Sequence, residues 1–171
     1  MVMKSAPTRR RLVLGFGTLA AAALLGGCGF KLRGPQPLAF SSIYLGVSRQ
    51  SDLGAALHRR IVANGNTTIT DDPAKAEVRL EILRDQTERE ILTLTGGGKV
   101  REYQLQRLMS FRLVGRNGNE WIPVTTISAR REYNFDDAQI LAKEQEEALL
   151  FRDMQIDLID QLMRRLAAAK P

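Results

Sequence analysis

Apolar and polar side chains alternate through the middle of the chain. Val78, Leu80 and Ile82 are separated by single charged residues, and this period of two predicts a half-buried β-strand with one polar face. The pattern continues less regularly to three consecutive glycines at positions 96–98, which favour a tight turn. The segment therefore predicts the first strand of a hairpin.

Two further alternating segments follow this turn. Residues 99–114 alternate in the same way and predict one strand about 50 Å long, well above the usual length. The sequence Arg-Asn-Gly-Asn at 116–119 is a strong turn signal. Residues 121–135 then predict a third long strand, in which Pro123 indicates an edge position. Three strands joined by tight turns predict an antiparallel meander.

A strand and a helix are predicted before the meander. Residues 43–47 form a short apolar run typical of a buried strand. Ser51 or Asp52 can cap a helix that runs to about Asn64 and ends at Gly65. This helix would connect the first strand to the meander as a crossover.

The last segment predicts a long helix with a wide apolar surface. The helix begins near Asp136, where an acid is followed by Gln three residues later, and runs to about Ala168. Besides its main apolar stripe it carries a second line at Leu149, Ile156 and Met163. This second line would contact either the first helix or another protein, and the tendency of helices to pack side by side on one sheet face favours the first helix.

These elements define the expected fold class and boundaries. We predict an α+β domain over residues 41–168, with element order βαβββα. Its mixed, largely antiparallel sheet would have four strands, and both helices would pack on one face. A chain of 171 residues with 44% hydrophobic residues is consistent with one such core.

The first 27 residues have the pattern of an export signal. Residues 1–11 contain four basic side chains, and residues 12–25 form an apolar run of about 14 residues, shorter than the ~20 needed to span a bilayer. The run ends in Leu-Gly-Gly-Cys, which resembles the bacterial lipoprotein signal. The resemblance implies that residues 1–27 are removed and that Cys28 becomes the lipidated first residue. The alternative is a free cysteine at the end of a membrane anchor.

Residues near the cleavage position refine this expectation. Gly29, rather than Asp, follows Cys28, and in lipoproteins of this type that implies the outer membrane. Residues 28–40 contain Gly34, Pro35 and Pro37, so we expect a lipidated tether without regular structure. Residues 8–14 also resemble part of a twin-arginine signal, although an ordinary basic segment is the commoner pattern.

Charge and cysteine content exclude several classes of protein. The net charge of +6 arises largely before residue 12, and without residues 1–27 the chain has 21 basic and 19 acidic residues. A nearly neutral body argues against nucleic-acid binding. One Cys and one His cannot form an internal disulfide or a Cys/His zinc site.

No catalytic or cofactor motif is found. The three glycines followed by Lys99 lack the spacing and the Ser or Thr of a phosphate-binding loop, and they join two strands. His58 has no neighbouring Ser or Cys in the sequence with which to form a nucleophilic pair. We therefore expect no catalytic residues, no metal and no cofactor.

The chain resembles the LptE (RlpB) family of lipopolysaccharide-assembly lipoproteins. The resemblance is carried by the order and spacing of short motifs across almost the whole chain after the signal. They are Gly-Cys-Gly-Phe-Lys-Leu-Arg-Gly at 27–34, Glu-Tyr-Gln-Leu at 102–105, Tyr-Asn-Phe-Asp at 133–136, Leu-Ala-Lys-Glu-Gln-Glu at 141–146, Asp-Met at 153–154 and Leu-Met-Arg-Arg-Leu at 162–166.

The resemblance implies a location, partners and contact residues. It implies an outer-membrane protein, lipid-anchored on the periplasmic side, that binds the LptD β-barrel 1:1 as a plug and contacts lipopolysaccharide. Lys143 matches one basic contact position of the family. At the hairpin this chain has Gly96–Gly98 where a basic residue is expected, so Lys99 and Arg101 are the substitutes. Ordinary solvated surface charges are the alternative for these two residues.

Three hypotheses follow from the sequence. The leading one is a non-enzymatic lipoprotein that plugs a β-barrel and assists lipopolysaccharide assembly. The second is a free-standing lipid-binding or transport-accessory lipoprotein without a barrel partner. The third, a lipid-anchored hydrolase, lacks an identifiable nucleophile and base.

Overall fold

The sheet is built on three long strands joined by two tight turns. In the computed structural model, which describes residues 37–171, five strands lie in the order β2-β1-β3-β4-β5. Their bounds are β1 Ser42–Gly46, β2 Thr68–Ile69, β3 Val78–Leu94, β4 Val100–Gly115 and β5 Glu120–Asn134. The β3–β4 and β4–β5 pairs are antiparallel, which confirms the predicted meander. β5 is an edge strand, as Pro123 indicated.

The number of strands corrects the four-stranded prediction. β2 pairs in parallel with β1, through a hydrogen bond from Thr68 N to Ser41 O at 2.9 Å and one from Thr70 N to Ile43 O at 3.0 Å. The strand has only two residues, too few for a period of two to appear in the sequence. Because β1 also pairs in parallel with β3, the sheet is mixed, as expected.

Two α-helices complete the fold. α1 (Asp52–Asn64) begins where the Ser51 side chain accepts a hydrogen bond from Gly54 N at 3.1 Å, and ends at Gly65, whose φ of 81° favours glycine. α2 (Ile140–Ala168) follows a short 3₁₀ helix, Asp137–Gln139, that is capped by Asp136. The predicted helix start at Asp136 is therefore a 3₁₀ turn that leads into the α-helix.

The hydrophobic core lies between the helices and one face of the sheet. Leu57 from α1, Leu158 from α2 and Phe111 from β4 are fully buried in one cluster with other residues of the three elements. Arg60 of α1 forms an ion pair with Asp160 of α2 at 2.5 Å, so the helices lie side by side. This arrangement agrees with the predicted packing of both helices on one sheet face.

The opposite face of the sheet is polar and linked by hydrogen bonds across the strands. Arg112 donates to Glu81 at 2.7 Å, Ser110 and Thr126 are hydrogen-bonded at 2.8 Å, and Gln104 donates to Glu132 at 3.4 Å. These pairs connect β3, β4 and β5 through their side chains as well as their backbones. The face opposite the helices is thus predominantly polar, with Leu108 as an apolar residue between Gln86 and Ser128.

The second apolar line of the last helix is not covered by α1. Leu149 and Ile156 are each 57% exposed, so the expectation that the first helix covers this line was wrong at both positions. α1 is only 13 residues long and its ion pair with α2 is at Asp160, in the C-terminal part of that helix. Only Met163 of this line packs partly against the core.

The expectations for the N-terminal segment concern residues the structure does not describe. The signal at 1–27, the lipidation site Cys28 and most of the tether at 28–40 lie outside residues 37–171. Within the described part of the chain, no helix is both long enough and apolar enough to cross a bilayer.

A matched pair of leucines on α2 tests the assignment of the core. We expect Leu158→Ala to lower the free energy of unfolding by about 2–5 kcal/mol because it leaves a cavity in a packed core. Leu149→Ala, the same substitution at an exposed position, should change it by less than about 0.5 kcal/mol. Urea unfolding followed by circular dichroism measures both, and equal losses would show that the core is misassigned.

Candidate functional site

The β3–β4 hairpin and the start of α2 meet at one end of the sheet. The turn is closed by hydrogen bonds from Thr95 N to Lys99 O at 2.7 Å and from Gly98 N to Thr95 O at 2.9 Å. Gly98 has φ of 77°, a conformation that side chains other than glycine rarely adopt. Gly98, one of the three glycines that stand where the family resemblance implies a basic residue, thus has a structural role in this turn.

The backbone joins this turn to the helix that follows β5. Phe135 N donates to Arg101 O at 2.8 Å, one residue beyond the last pair of β4 and β5. The Asp136 side chain then accepts from Ala138 N at 3.0 Å and starts the 3₁₀ helix. The chain therefore turns into α2 directly beside the hairpin.

The three predicted contact residues lie at this end, in different environments. Lys99 is 75% exposed, and its Nζ lies 3.4 Å from Asp137 Oδ2. Arg101 is also exposed. Lys143 is only 18% exposed, and its Nζ donates to Glu146 at 2.8 Å, so its aliphatic stem is packed while its ammonium is held by a more exposed carboxylate.

A cluster of aromatic and charged side chains fixes α2 to the sheet beneath these cations. Tyr103 stacks on Tyr133 with ring centroids 5.8 Å apart and contacts Phe135 edge-on at 5.1 Å. The Arg89 guanidinium lies 4.8 Å from the centroid of the Tyr103 ring. Glu147 of α2 accepts hydrogen bonds from Tyr133 Oη and, at 3.0 Å, from Arg89.

The protonation equilibria of this cluster follow from its contacts. Burial, reinforced by the hydrogen bond to Glu147, raises the pKa of Tyr133 well above its usual range. The hydrogen bond and charge of Glu147 raise the pKa of Arg89. At neutral pH the cluster therefore holds a neutral phenol and a guanidinium against one carboxylate.

Exposed apolar side chains lie at the same end of the sheet as these cations. Five of them are exposed and belong to the last residues of β3 and the first turn of α2. They are Ile91, Leu92, Leu94, Ile140 and Leu141. We call the hairpin, the first two turns of α2 and these side chains the hairpin tip. Cations beside exposed aliphatic groups form a surface suited to an anionic amphiphile.

His58 lies away from this tip, in a cleft beside β1, β2 and α1. The cleft has a volume of about 210 Å³, and Tyr44, Arg49, Thr70 and Asp71 also line it. No Ser or Cys contributes to its wall. In the part of the chain from residue 37 onward, no group of three or more His, Cys, Asp or Glu side chains could hold a metal ion.

Comparison with protein families identifies the family of the chain. The family model LptE, described as lipopolysaccharide-assembly, matches residues 40–166. The chain belongs to the LptE family. This assignment confirms the resemblance found in the sequence, and because the family consists of non-enzymatic lipopolysaccharide-assembly lipoproteins, it confirms that the chain is not an enzyme.

Three solved lipoprotein structures are similar to this LptE-family chain. Lipoprotein B from Nitrosomonas europaea is 33% identical with a TM-score of 0.70, and the match covers 82% of this chain and 91% of that one. Rare lipoprotein B from Shewanella oneidensis is 29% identical with a TM-score of 0.66, covering 75% and 95%. A minor lipoprotein from Acinetobacter baumannii is 28% identical with a TM-score of 0.63, covering 79% and 100%. A comparison with curated proteins gives no match.

The sequence of this LptE-family chain did not point to every residue of the tip. Lys99, Arg101 and Lys143 were predicted, and the structure brings them to the same end of the sheet. The Arg89–Glu147 pair joins positions 58 residues apart, and no local period reveals such a contact. The exposed apolar residues at the end of β3 and the start of α2 were visible in the sequence, but only the fold brings them to the same end of the sheet.

A single carboxylate tests whether the cluster fixes the start of α2. Glu147→Gln removes the charge that Arg89 and Tyr133 share, and we expect a loss of about 1–2 kcal/mol in unfolding free energy. Amide hydrogen exchange in the first two turns of α2 should also become faster. Glu144→Gln, the same change at an exposed position of the helix, is the control. Equal exchange rates in both variants would contradict this role.

Proposed function

We propose that this lipopolysaccharide-assembly lipoprotein plugs the β-barrel LptD in a 1:1 complex and assists the insertion of lipopolysaccharide at the outer membrane. The proposal rests first on the LptE-family match over residues 40–166. The observation in the structure that best supports it is the predominantly polar face of three long strands. Its mechanism is steric and electrostatic, without covalent chemistry.

The polar sheet face suits the interior of a large barrel. The lumen of an outer-membrane barrel is hydrated and lined by polar side chains. Arg112, Ser110 and Gln104 offer hydrogen-bonding groups along β4 and are already ordered by their neighbours on β3 and β5. A preordered polar surface loses little side-chain entropy when it binds a polar wall.

The hairpin tip suits the phosphates and acyl chains of lipopolysaccharide. Lys99, Arg101 and Lys143 would replace divalent cations at the phosphates, with Arg able to bind through two hydrogen bonds and Lys acting as a point charge. Lys99 and Lys143 would exchange their carboxylate partners, Asp137 and Glu146, for phosphate. The exposed aliphatic side chains around them would contact acyl chains. Together these contacts would loosen lipopolysaccharide aggregates.

The N-terminal segment would place the domain at the membrane. We propose that residues 1–27 direct export and are removed, and that lipidated Cys28 is anchored in the periplasmic side of the outer membrane, with residues 28–40 as tether. Each buried methylene of the attached chains contributes about 0.8 kcal/mol, so three chains anchor a neutral domain without a basic patch.

Affinity capture tests the barrel partner. When the tagged full chain is captured from detergent-solubilised outer membranes and washed at high salt, we expect a large β-barrel protein to remain bound at 1:1, because the interface is extensive rather than purely ionic. The same tag on an unrelated outer-membrane lipoprotein is the control. Depletion of the chain should leave the barrel misassembled.

Two results would contradict the barrel proposal. One is a normally assembled, functional barrel in cells that lack the chain. The other is the intact chain captured from the outer membrane without a barrel. The second result would favour a free-standing lipid-binding lipoprotein.

Neutral substitutions test the ligand contacts at the tip. We expect the triple variant Lys99→Gln, Arg101→Gln, Lys143→Gln to bind purified lipopolysaccharide about tenfold more weakly, a change of about 1.4 kcal/mol. A control variant loses the same charge at exposed positions elsewhere, through Arg59→Gln, Lys75→Gln and Arg164→Gln. Binding is measured by fluorescence anisotropy at low salt. If both triple variants bind lipopolysaccharide equally weakly, binding depends on net charge and not on the position of these three residues.

A further inference from the structure

The cleft that contains His58 lies at the carboxyl ends of two parallel strands. β1 and β2 are paired in parallel, and α1 connects them in the chain. Val47 and Arg49 follow β1, Thr70 and Asp71 follow β2, and all four line the cleft. Where parallel strands are joined by helices, ligands bind in the crevice outside the carboxyl ends of the strands. The cleft therefore occupies a position at which this kind of topology forms ligand sites.

One part of the cleft wall is apolar. Leu45, Val47 and Ile69 line the cleft and also pack against the hydrophobic core, so they are only partly exposed. Gly54 and His58 belong to the same wall, and because they are four residues apart on α1 they lie on one side of that helix. An aliphatic group that enters the cleft would leave water for contact with the three apolar side chains.

Two opposite charges line the cleft without binding each other. Arg49 and Asp71 both contribute to its wall. Between residues 37 and 171, neither side chain takes part in an ion pair. Both are exposed, so water solvates each of them in the free chain. A ligand that carries a carboxylate and an ammonium group would give each side chain a charged partner.

Hydrogen-bonded loops hold the two charged residues in place. The backbone N and the Oγ of Ser51 donate to Ser48 O at 3.1 Å and 2.7 Å, and they close the loop after β1 that carries the cation. After β2, Asp72 N donates to Thr70 Oγ1 at 3.3 Å, with Asp71 between them. A site that is formed before binding loses little conformational entropy when its ligand enters.

The size and the lining of the cleft define the class of ligand. Its volume of about 210 Å³ is below the roughly 300–1,000 Å³ of pockets for drug-sized ligands, so the ligand is a small molecule. Arg49 and Asp71 follow the strand ends, whereas Leu45 and Ile69 belong to the strands themselves. A molecule with both charged groups at one end and an aliphatic group at the other matches this distribution. A free aliphatic α-amino acid has this form.

We propose that this cleft binds a free α-amino acid with an aliphatic side chain. Arg49 binds the carboxylate through two parallel hydrogen bonds, which its planar guanidinium can form. Asp71 binds the ammonium group, and Leu45 and Ile69 contact the aliphatic side chain. The cleft binds the molecule without changing it chemically. This inference is independent of the proposed function, because the cleft lies away from the hairpin tip.

Three related molecules test the requirement for both charges. The probes are L-leucine, 3-methylbutylamine, which lacks the carboxylate, and 4-methylpentanoate, which lacks the ammonium group. Each is titrated at constant pH into the isotope-labelled full chain in detergent, and NMR follows the backbone amide signals. We expect L-leucine to shift the signals of the cleft residues with a Kd of about 1 mM or below. The other two probes should bind at least about tenfold more weakly, because each lacks one charge-assisted contact.

Neutral substitutions assign each charge of the cleft to one group of the ligand. Arg49→Gln should weaken the binding of L-leucine about tenfold and leave that of 3-methylbutylamine within about threefold. Asp71→Asn should weaken the binding of L-leucine to the same degree and leave that of 4-methylpentanoate within about threefold. Arg59→Gln and Asp153→Asn, the same changes at exposed positions elsewhere, are the controls. Circular dichroism checks that each variant is folded.

Three results would overturn the proposal. The first is the absence of shifts at the cleft residues with L-leucine at concentrations up to about 20 mM, far above the expected Kd. The second is equal affinity for the three probes, which would show that the charges of the ligand are not recognised. The third is a loss of L-leucine binding in Arg49→Gln and Asp71→Asn no greater than in the control variants.

Discussion

The alternation of side chains along β4 is the constraint on which the rest of the structure depends. β4 is paired on both sides along almost its full length, so each of its residues is assigned to one of two faces. Leu105, Met109, Phe111 and Leu113 point to the helices and are buried, while Gln106, Ser110 and Arg112 lie on the polar face. A shift of one residue in its pairing would exchange the two faces. The core and the polar surface are thus two consequences of one pattern.

The hairpin tip exists because β4 positions two segments of the chain at one end of the sheet. The turn after β3 and the exit from β5 flank the first residues of β4, and the hydrogen bond from Phe135 to Arg101 closes the gap between them. Cations that are far apart in the sequence therefore lie at one end. The aromatic cluster below them prevents the start of α2 from moving away, since Glu147 is bonded to both Arg89 and Tyr133.

Sequence reasoning succeeded where a local pattern determines structure. Period two over β3 to β5 predicted three strands, the short apolar run at 43–47 predicted β1, and the Ser51 cap with Gly65 predicted α1 closely. β2 was missed because Thr68 and Ile69 are held by backbone pairing to β1, which requires the whole crossover to be in place. The contact residues of the tip came from family resemblance, whereas the Arg89–Glu147 pair depends on tertiary structure. Leu149 and Ile156 were expected to be covered by the first helix but are exposed. An apolar line on a helix does not show which element covers it.

The parallel position of β1 has a consequence for the order of folding. The two hairpins of the meander bring together residues close in the sequence, and such hairpins form within about 1–10 μs. β1 can join β3 only after the segment containing α1 has closed over some 30 residues, at a cost in loop entropy. Long-range contacts of this kind stabilise the chain only after the loop entropy has been lost. The topology therefore favours early formation of the meander and late docking of β1 and β2. Until then the first residues of β3, Val78 and Leu80 among them, lack their parallel neighbour, and a chaperone that binds extended apolar segments would find its target there.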